Sequence, residues 1–335
     1  MSTLTSFGND TSTAEIVDYT VSNWQTRTSA ADNQWFTMAW NGTVFASVAG
    51  FNGAGSQGMT SPDGITWTSR TIPNSNQYKG LAWNGTVFCA VSANGTGNRA
   101  ITSPDGITWT SRTSAADNQW NAVAWNGTVF AAVAGSGTGN RVMTSPDGIT
   151  WTIRTSAADN SWTAIAWNGT VFAAVASSGT GNRVMTSPDG ITWTIRTSAA
   201  DNSWVAIAWN GTVFAAVSST GTGNKVMTSP DGITWTGRVA PERAWRAVAW
   251  NGTVFAAVAS DGTGNRVMTS PDGITWTSRT SAVDNNWYSI AWNGLGTGTT
   301  LLLPAAGTGT VFAAGAASGT GNRVMTNLFY KRDAT

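Results

Sequence analysis

Apolar and polar residues along this chain alternate in short bursts, with no helical stripe. In WTAIAWNGTVFAAVASSGTGNRVMTSPDGITWTIRT, which begins at Trp162, four runs rich in Val, Ile, Thr, Phe and Trp are separated by Asn-Gly, a Gly/Ser/Thr loop and Pro-Asp-Gly; a Ser-Ala-Ala-Asp-Asn loop follows. Such runs bounded by turn residues predict short β-strands. By the period of two, Trp162, Ala164 and Ala166 share one face and Ile165 and Trp167 the other. Both faces are apolar, so each sheet must be covered on both sides. Asn-Gly predicts a tight type I′ hairpin, because both residues tolerate positive φ.

The pattern recurs. Trp-Asn-Gly begins at Trp40, Trp83, Trp125, Trp167, Trp209, Trp250 and Trp292, and SPDGITWT at Ser61, Ser103, Ser145, Ser187, Ser229 and Ser270. Four strands every ~40–45 residues describe the blade of a β-propeller. The expected fold is all-β: a seven-bladed β-propeller of four-stranded antiparallel blades. The missing seventh copy lies at the ends, where Trp24 to Thr28 lines up with Trp67 to Thr71 and Asn322 to Thr326 with the segment before SPDG. The closing blade is therefore expected to be shared, with residues 16–27 adding the outermost strand to inner strands from 287–326. The predicted organisation is a polar tail (1–15), the propeller (16–326) with an insertion (295–309), and a C-terminal tail (327–335). The 20 Trp fit three per unit with Tyr78 in the one vacant position. The ITWT tryptophans and Cys89 read as core.

Composition narrows the chemistry. Of 335 residues only 10% are charged, the formal net charge is +1, and there is no His. A balanced charge argues against duplex nucleic acid or an anionic membrane as partner. Two Glu (Glu15, Glu242) and one Cys leave few substitutes for the missing imidazoles, so neither a metal nor a cofactor is expected, nor an enzyme. The N-terminus lacks a signal-peptide pattern and no stretch reaches membrane-spanning length, so export by a standard signal and insertion are not expected.

SPDGITWT resembles the Asp-box (BNR) repeat, Ser-x-Asp-x-Gly-x-Thr-Trp, of sialidases, photosystem assembly factors and microbial and phage propellers, except that Asp63 and its equivalents are followed directly by Gly. The resemblance covers six of seven units and implies a propeller in which the box is a turn remote from any active site. Here the Asp is expected to cap its own turn. A sialidase needs an Arg triad, a Tyr nucleophile with a Glu partner and an Asp acid. No blade is singled out for these roles; Glu242 with Arg243 and Arg246 comes nearest and reads more simply as loop drift.

Alternating strand direction places the Trp-Asn-Gly and Pro-Asp-Gly turns at one end of the ring and the longer polar loops at the other. The loop end gathers a Trp opening the first strand (Trp35, Trp120, Trp162, Trp204, Trp245, Trp287), loop carboxylates (Asp117, Asp159, Asp201), cations opening the third strand (Arg141, Arg183) and Arg closing the fourth (Arg154, Arg196). Aromatic plates beside carboxylates and guanidinium groups are the chemistry of sugar binding, and several weak sites on one ring would act by avidity. The alternative is structural: Arg and Asp bracing neighbouring blades. At the turn end, Leu301, Leu302 and Leu303 within the insertion, together with both tails, suggest an attachment face. The resulting expectation is a non-catalytic virion component, such as a phage tail, fibre or capsid-decoration protein. It would recognise a glycan or host-surface receptor by its loop face and dock to other virion proteins, or to copies of itself, through the insertion and termini. A free multivalent lectin and an inert scaffold are the alternatives. Asn-Gly-Thr also matches a glycosylation acceptor, which the hairpin turn explains better.

Overall fold

The protein is described by a computed structural model covering residues 19–21, 23–50, 57–294 and 310–331. Regular structure among these is all β, forming seven antiparallel sheets: six of four strands and a closing sheet of five. In the fourth blade the strands are Trp162–Trp167, Phe172–Ala176, Val184–Ser187 and Thr194–Arg196, paired in chain order from the inside outward. The first strands touch their neighbours all the way round, and the ring closes where Trp287–Trp292 meets Trp35–Trp40. The chain is thus a seven-bladed β-propeller. No helix among the described residues is long and apolar enough to cross a membrane.

Both chain ends build the closing blade. Gln25–Arg27 pairs with the third strand, Val324–Lys331, setting Gln25 opposite Thr326 and Arg27 opposite Val324. Tyr19–Val21 continues along the same strand, with Tyr19 opposite Lys331. The sheet thereby takes up residues 327–331, part of the segment expected as a C-terminal tail. Residues 1–15 and the insertion 295–309, with Leu301, Leu302 and Leu303, lie outside the described residues.

Seven apolar clusters fill the seven gaps between blades. Between the fourth and fifth, Ala164, Ala166, Ala173, Val175 and Val184 receive Trp204, Ile207, Phe214, Met227 and Trp235. Small side chains on one face leave room for large ones from the next, which keeps the interior dense. At the seam Ala291, Val311, Ala313 and Val324 receive Trp35, Met38, Phe45, Met59 and Trp67. Trp24 fills the closing blade's ITWT position, its ring 6.3 Å from Phe312. Cys89 is fully buried between the second and third blades, where loss of solvation pushes its thiol pKa well up.

Two local expectations need correction. The strand phase is shifted: Trp162 packs with Ile165 and Trp167, while Ala164 and Ala166 face the opposite gap. The cause is a β-bulge, since Trp162 pairs with Ala176 and Ala164 with the very next residue, Val175, so that Thr163 drops out of the ladder and the alternation skips one residue. The Trp-Asn-Gly turn is also longer than a two-residue type I′ loop. Trp167 pairs with Phe172, leaving four residues between, and Asn168 Oδ1 closes them by accepting from Thr170 N, Thr170 Oγ1 and Val171 N. Gly169 supplies the positive φ, 99°.

Candidate functional site

The register confirms the two-ended sorting, and the loop end carries the expected charges. There the Arg and Asp side chains are internal braces. Arg183 donates from Nε to Gly179 O at 2.8 Å and from Nη1 to Ser177 O and Asn202 O, both at 2.9 Å. Asp201 lies 3.5 Å from its Nε and accepts from Gly181 N at 2.7 Å. Arg141 with Asp159 and Arg99 with Asp117 repeat the arrangement. The exceptions vary as pairs. Lys225 replaces Arg where Glu242 replaces Asp, and the two still meet, at 3.8 Å. Gln57 replaces the cation of the first blade, whose outgoing loop has Ser75 in place of Asp. The pairing is kept where the residues change, so cation and carboxylate vary together.

The aromatic plates expected for sugar are not on the surface. Trp35, Trp120, Trp162, Trp204, Trp245 and Trp287 are all 0% exposed. Each indole nitrogen donates to the carbonyl four residues earlier, as Trp162 Nε1 does to Ala158 O at 3.1 Å. Bulge-shifted phase turns these rings between blades. Tyr78 conserves the bond by other means: its hydroxyl donates to Asn74 Oδ1 at 2.6 Å, which explains Asn in the altered loop before it. Arg154 and Arg196 bind the fourth strand to the third, donating from Nε to Thr144 Oγ1 and Thr186 Oγ1 at 2.9 Å.

SPDGITWT is a self-contained turn, with its Asp capping as expected. In the fourth blade Ser187 Oγ donates to Asp189 Oδ1, which also accepts from Ile191 N and Thr192 N; Trp193 Nε1 donates to Gly190 O. Partial burial raises the carboxyl pKa, but these hydrogen bonds outweigh it, so Asp189 and its five equivalents titrate below the ordinary Asp range.

A different set of residues distinguishes the blades. All seven first strands carry the bulge at the same place, and the bulged residues are Phe36, Lys79, Asn121, Thr163, Val205, Arg246 and Tyr288. No two are alike, the only position of the repeat for which this is true. The third and fourth units, from Gln119 to Asn160 and Ser161 to Asn202, differ at four positions: Gln119/Ser161, Asn121/Thr163, Val123/Ile165 and Gly135/Ser177. Asn121 lies at the start of the first strand, Gln119 just before it and Gly135 just after the second, beside the loop face, whereas Val123 is mid-strand in the core. A bulged residue makes no ladder pair, so the sheet tolerates any side chain there, and the bulge re-aims it.

Several of these side chains reach the neighbouring blade. Asn121 Nδ2 donates to Trp162 O of the next blade at 2.8 Å, and Thr163 Oγ1 to Trp204 O at 2.6 Å. Tyr288 and Phe36 meet edge to face across the seam, 4.8 Å between ring centres, and the Arg246 guanidinium lies 5.1 Å from the Tyr288 ring centre. Phe36 needs Gly50 beside it, because a Cβ there would fall 1.7 Å from the ring. Lys79 is exposed, and desolvation by the surrounding protein lowers the pKa of its ammonium. In the sequence this ring is marked by the one repeat position at which no two units agree.

No protein-family model and no curated protein sequence matches the chain. Solved structures do. YCF48 bound to D1 peptide superposes with a TM-score of 0.64 at 16% identity, covering 95% of this chain and 98% of that one. Virginiamycin B lyase from Staphylococcus aureus gives 0.70 at 10% identity, covering 92% and 99%. The β-propeller domain of Cps50 (Swd1) from Myceliophteria thermophila gives 0.61 at 12%, covering 93% and 100%. At these identities the likeness is one of fold.

Proposed function

We propose that this protein is a non-catalytic recognition module that binds a segment of another protein across the inner rim of its loop end. The observation that carries the reading is that the bulged residue is the one repeat position at which no two units agree, on a framework otherwise largely repeated and braced. A rigid ring whose most variable side chains share one rim is built to present them. The SPDGITWT turns support the Asp-box likeness and keep a structural role. The fold accommodates such partners, as in YCF48 with its D1 peptide. Selection from a displayed peptide library tests the reading against a variant carrying Thr, the fourth blade's residue, at all seven bulges. Enriched peptides should bind the natural ring and lose the variant. Binding that ignores the substitutions, or binding to a glycan array alone, refutes it.

The opposite end suits attachment to a larger assembly such as a virion, because the third strand of the closing blade runs away from the loop end through Lys331 and Tyr19–Val21 runs beside it. Deleting residues 295–309 should abolish that assembly and leave the ring folded; unchanged assembly argues against this use.

A further inference from the structure

We propose that the partner is held by one arc of this rim, Arg246, Tyr288, Phe36 and Lys79, on the sixth, seventh, first and second blades, and that the arc takes an extended acidic peptide with an aromatic or aliphatic side chain between two carboxylates. The inference rests on the recognition reading above and names its ligand class.

Unspent chemistry is concentrated on this side. Across the ring, Asn121 and Thr163 have committed their side chains to neighbouring carbonyls, and Val205 offers none. Within the arc, Lys79 has no hydrogen-bond or ion-pair partner among the described residues, and it is exposed. Arg246 donates from Nε to Ser260 Oγ at 2.9 Å and covers Tyr288, with no described carboxylate in ion-pair reach. The ion pairs that are formed use other cations: Arg99, Arg141, Arg183, Lys225, Arg266 and Arg323. Nearby acidic groups are engaged as well. Glu242, Asp284 and Asp32 accept from the amides of Gly223, Gly264 and Gly321, and Asp261 accepts from Ala244 N.

Two cations without a carboxylate partner among the described residues, flanking two aromatic rings, complement an anionic, apolar, anionic sequence of groups. Carboxylates gain charge-assisted hydrogen bonds from guanidinium and ammonium, and the T-shaped Phe36–Tyr288 pair offers apolar surface between. The steps of 5.1 and 4.8 Å from Arg246 through Tyr288 to Phe36 cover three of the four groups, with Lys79 one blade further on, and alternate residues i, i+2 and i+4 of an extended chain, ~13 Å from first to last, present their side chains to one face of such an arc. A single-stranded nucleic acid would stack on the rings but needs a track of cations along its phosphates, which two side chains on a protein of net charge +1 do not supply.

The test is fluorescence polarisation with labelled 12-residue peptides centred on Glu-Ser-Phe-Ser-Glu or Lys-Ser-Phe-Ser-Lys, whose alternate side chains share one face of an extended chain, and with a thymidine 12-mer. The acidic peptide should bind about tenfold or more tighter than the basic one and weaken in 0.5 M NaCl. Lys79→Glu with Arg246→Glu should invert the order, and Phe36→Thr with Tyr288→Thr should weaken the acidic peptide about tenfold. Circular dichroism melts check that each variant folds. Equal binding of the two peptides, no binding, no inversion, or tighter binding of the oligonucleotide overturns the inference. If library selection yields ring-dependent binders that are neutral or basic, the acidic-ligand inference falls and the recognition reading stands; if it yields none, both fall.

Discussion

Arg183→Met and Asp201→Asn separate the two components of the loop-end brace. The guanidinium serves three backbone carbonyls at 2.8–2.9 Å, whereas the carboxylate stands 3.5 Å away and is 42% exposed. A hydrogen bond from a charged donor contributes roughly 1.5–3 kcal/mol, and water reaching this partly exposed site replaces some of the three, so losing Arg183 should destabilise by about 2–3 kcal/mol. An exposed ion pair is worth about 0–1 kcal/mol, and Asn keeps an oxygen for Gly181 N, so Asp201→Asn should cost no more than about 1 kcal/mol. With an unfolding entropy of about 2.1 cal/mol/K per residue, a chain of this size loses about 1.4 °C per kcal/mol, giving about 3–4 °C for Arg183→Met and about 1 °C for Asp201→Asn. Melting followed by circular dichroism, completed with the double variant, measures both and their coupling. Equal losses, or coupling well above about 1 kcal/mol, would show that the ion pair carries the brace and refute the assignment to the carbonyls.

Three further outcomes are expected. Gly80→Ala should lower stability by about 1–3 kcal/mol in the same melts, because its Cβ would sit 2.7 Å from Ala122 Cα of the next blade; a stabilised variant would mean that these strands are farther apart. Trp24→Ala should cost about 3–5 kcal/mol, as Trp193→Ala should, since Trp24 is 6% exposed against the closing blade; a negligible loss would place the N-terminal strand outside the ring. Stability should stay flat from about pH 8 to 5.5, where no His titrates. The six depressed Asp pKa values hold their contribution above the ordinary Asp pKa of about 3.9, and it is lost as pH falls through their lower folded-state values; a transition near neutrality in pH-dependent melts would contradict this.

Blade number, strand order and the shared closure were legible because repeated turn residues and Trp positions report local geometry directly. What escaped was anything governed by the bulge. One unpaired residue such as Thr163 reverses the facing of everything before it, and periodicity alone placed Trp162 with Ala164 when it packs with Ile165. The same error made six buried indoles look like a surface platform. A brace was expected between Asp201 and the Arg closing the fourth strand, six residues before Asn202, but Arg196 is held by Thr186 Oγ1 and Asp201 meets Arg183, whose coordination is filled by carbonyls. The bulged residues were visible in the sequence as the position where no two units agree; their adjacency across the seam, Phe36 against Tyr288, depends on ring closure.

The seam sets a schedule for synthesis. Within the ring, Trp35, Met38 and Phe45 are made early, yet the surface that covers them comes from Ala291 to Val324. At ~5–20 residues per second, translation leaves that greasy flank uncovered for roughly 13–60 s, and the Gln25–Arg27 strand waits as long for its partner. A nascent chain halted after six blades would carry an open, adhesive edge at each end of its stack, so prompt completion, or shielding by a chaperone in the interval, becomes part of how this protein avoids aggregation.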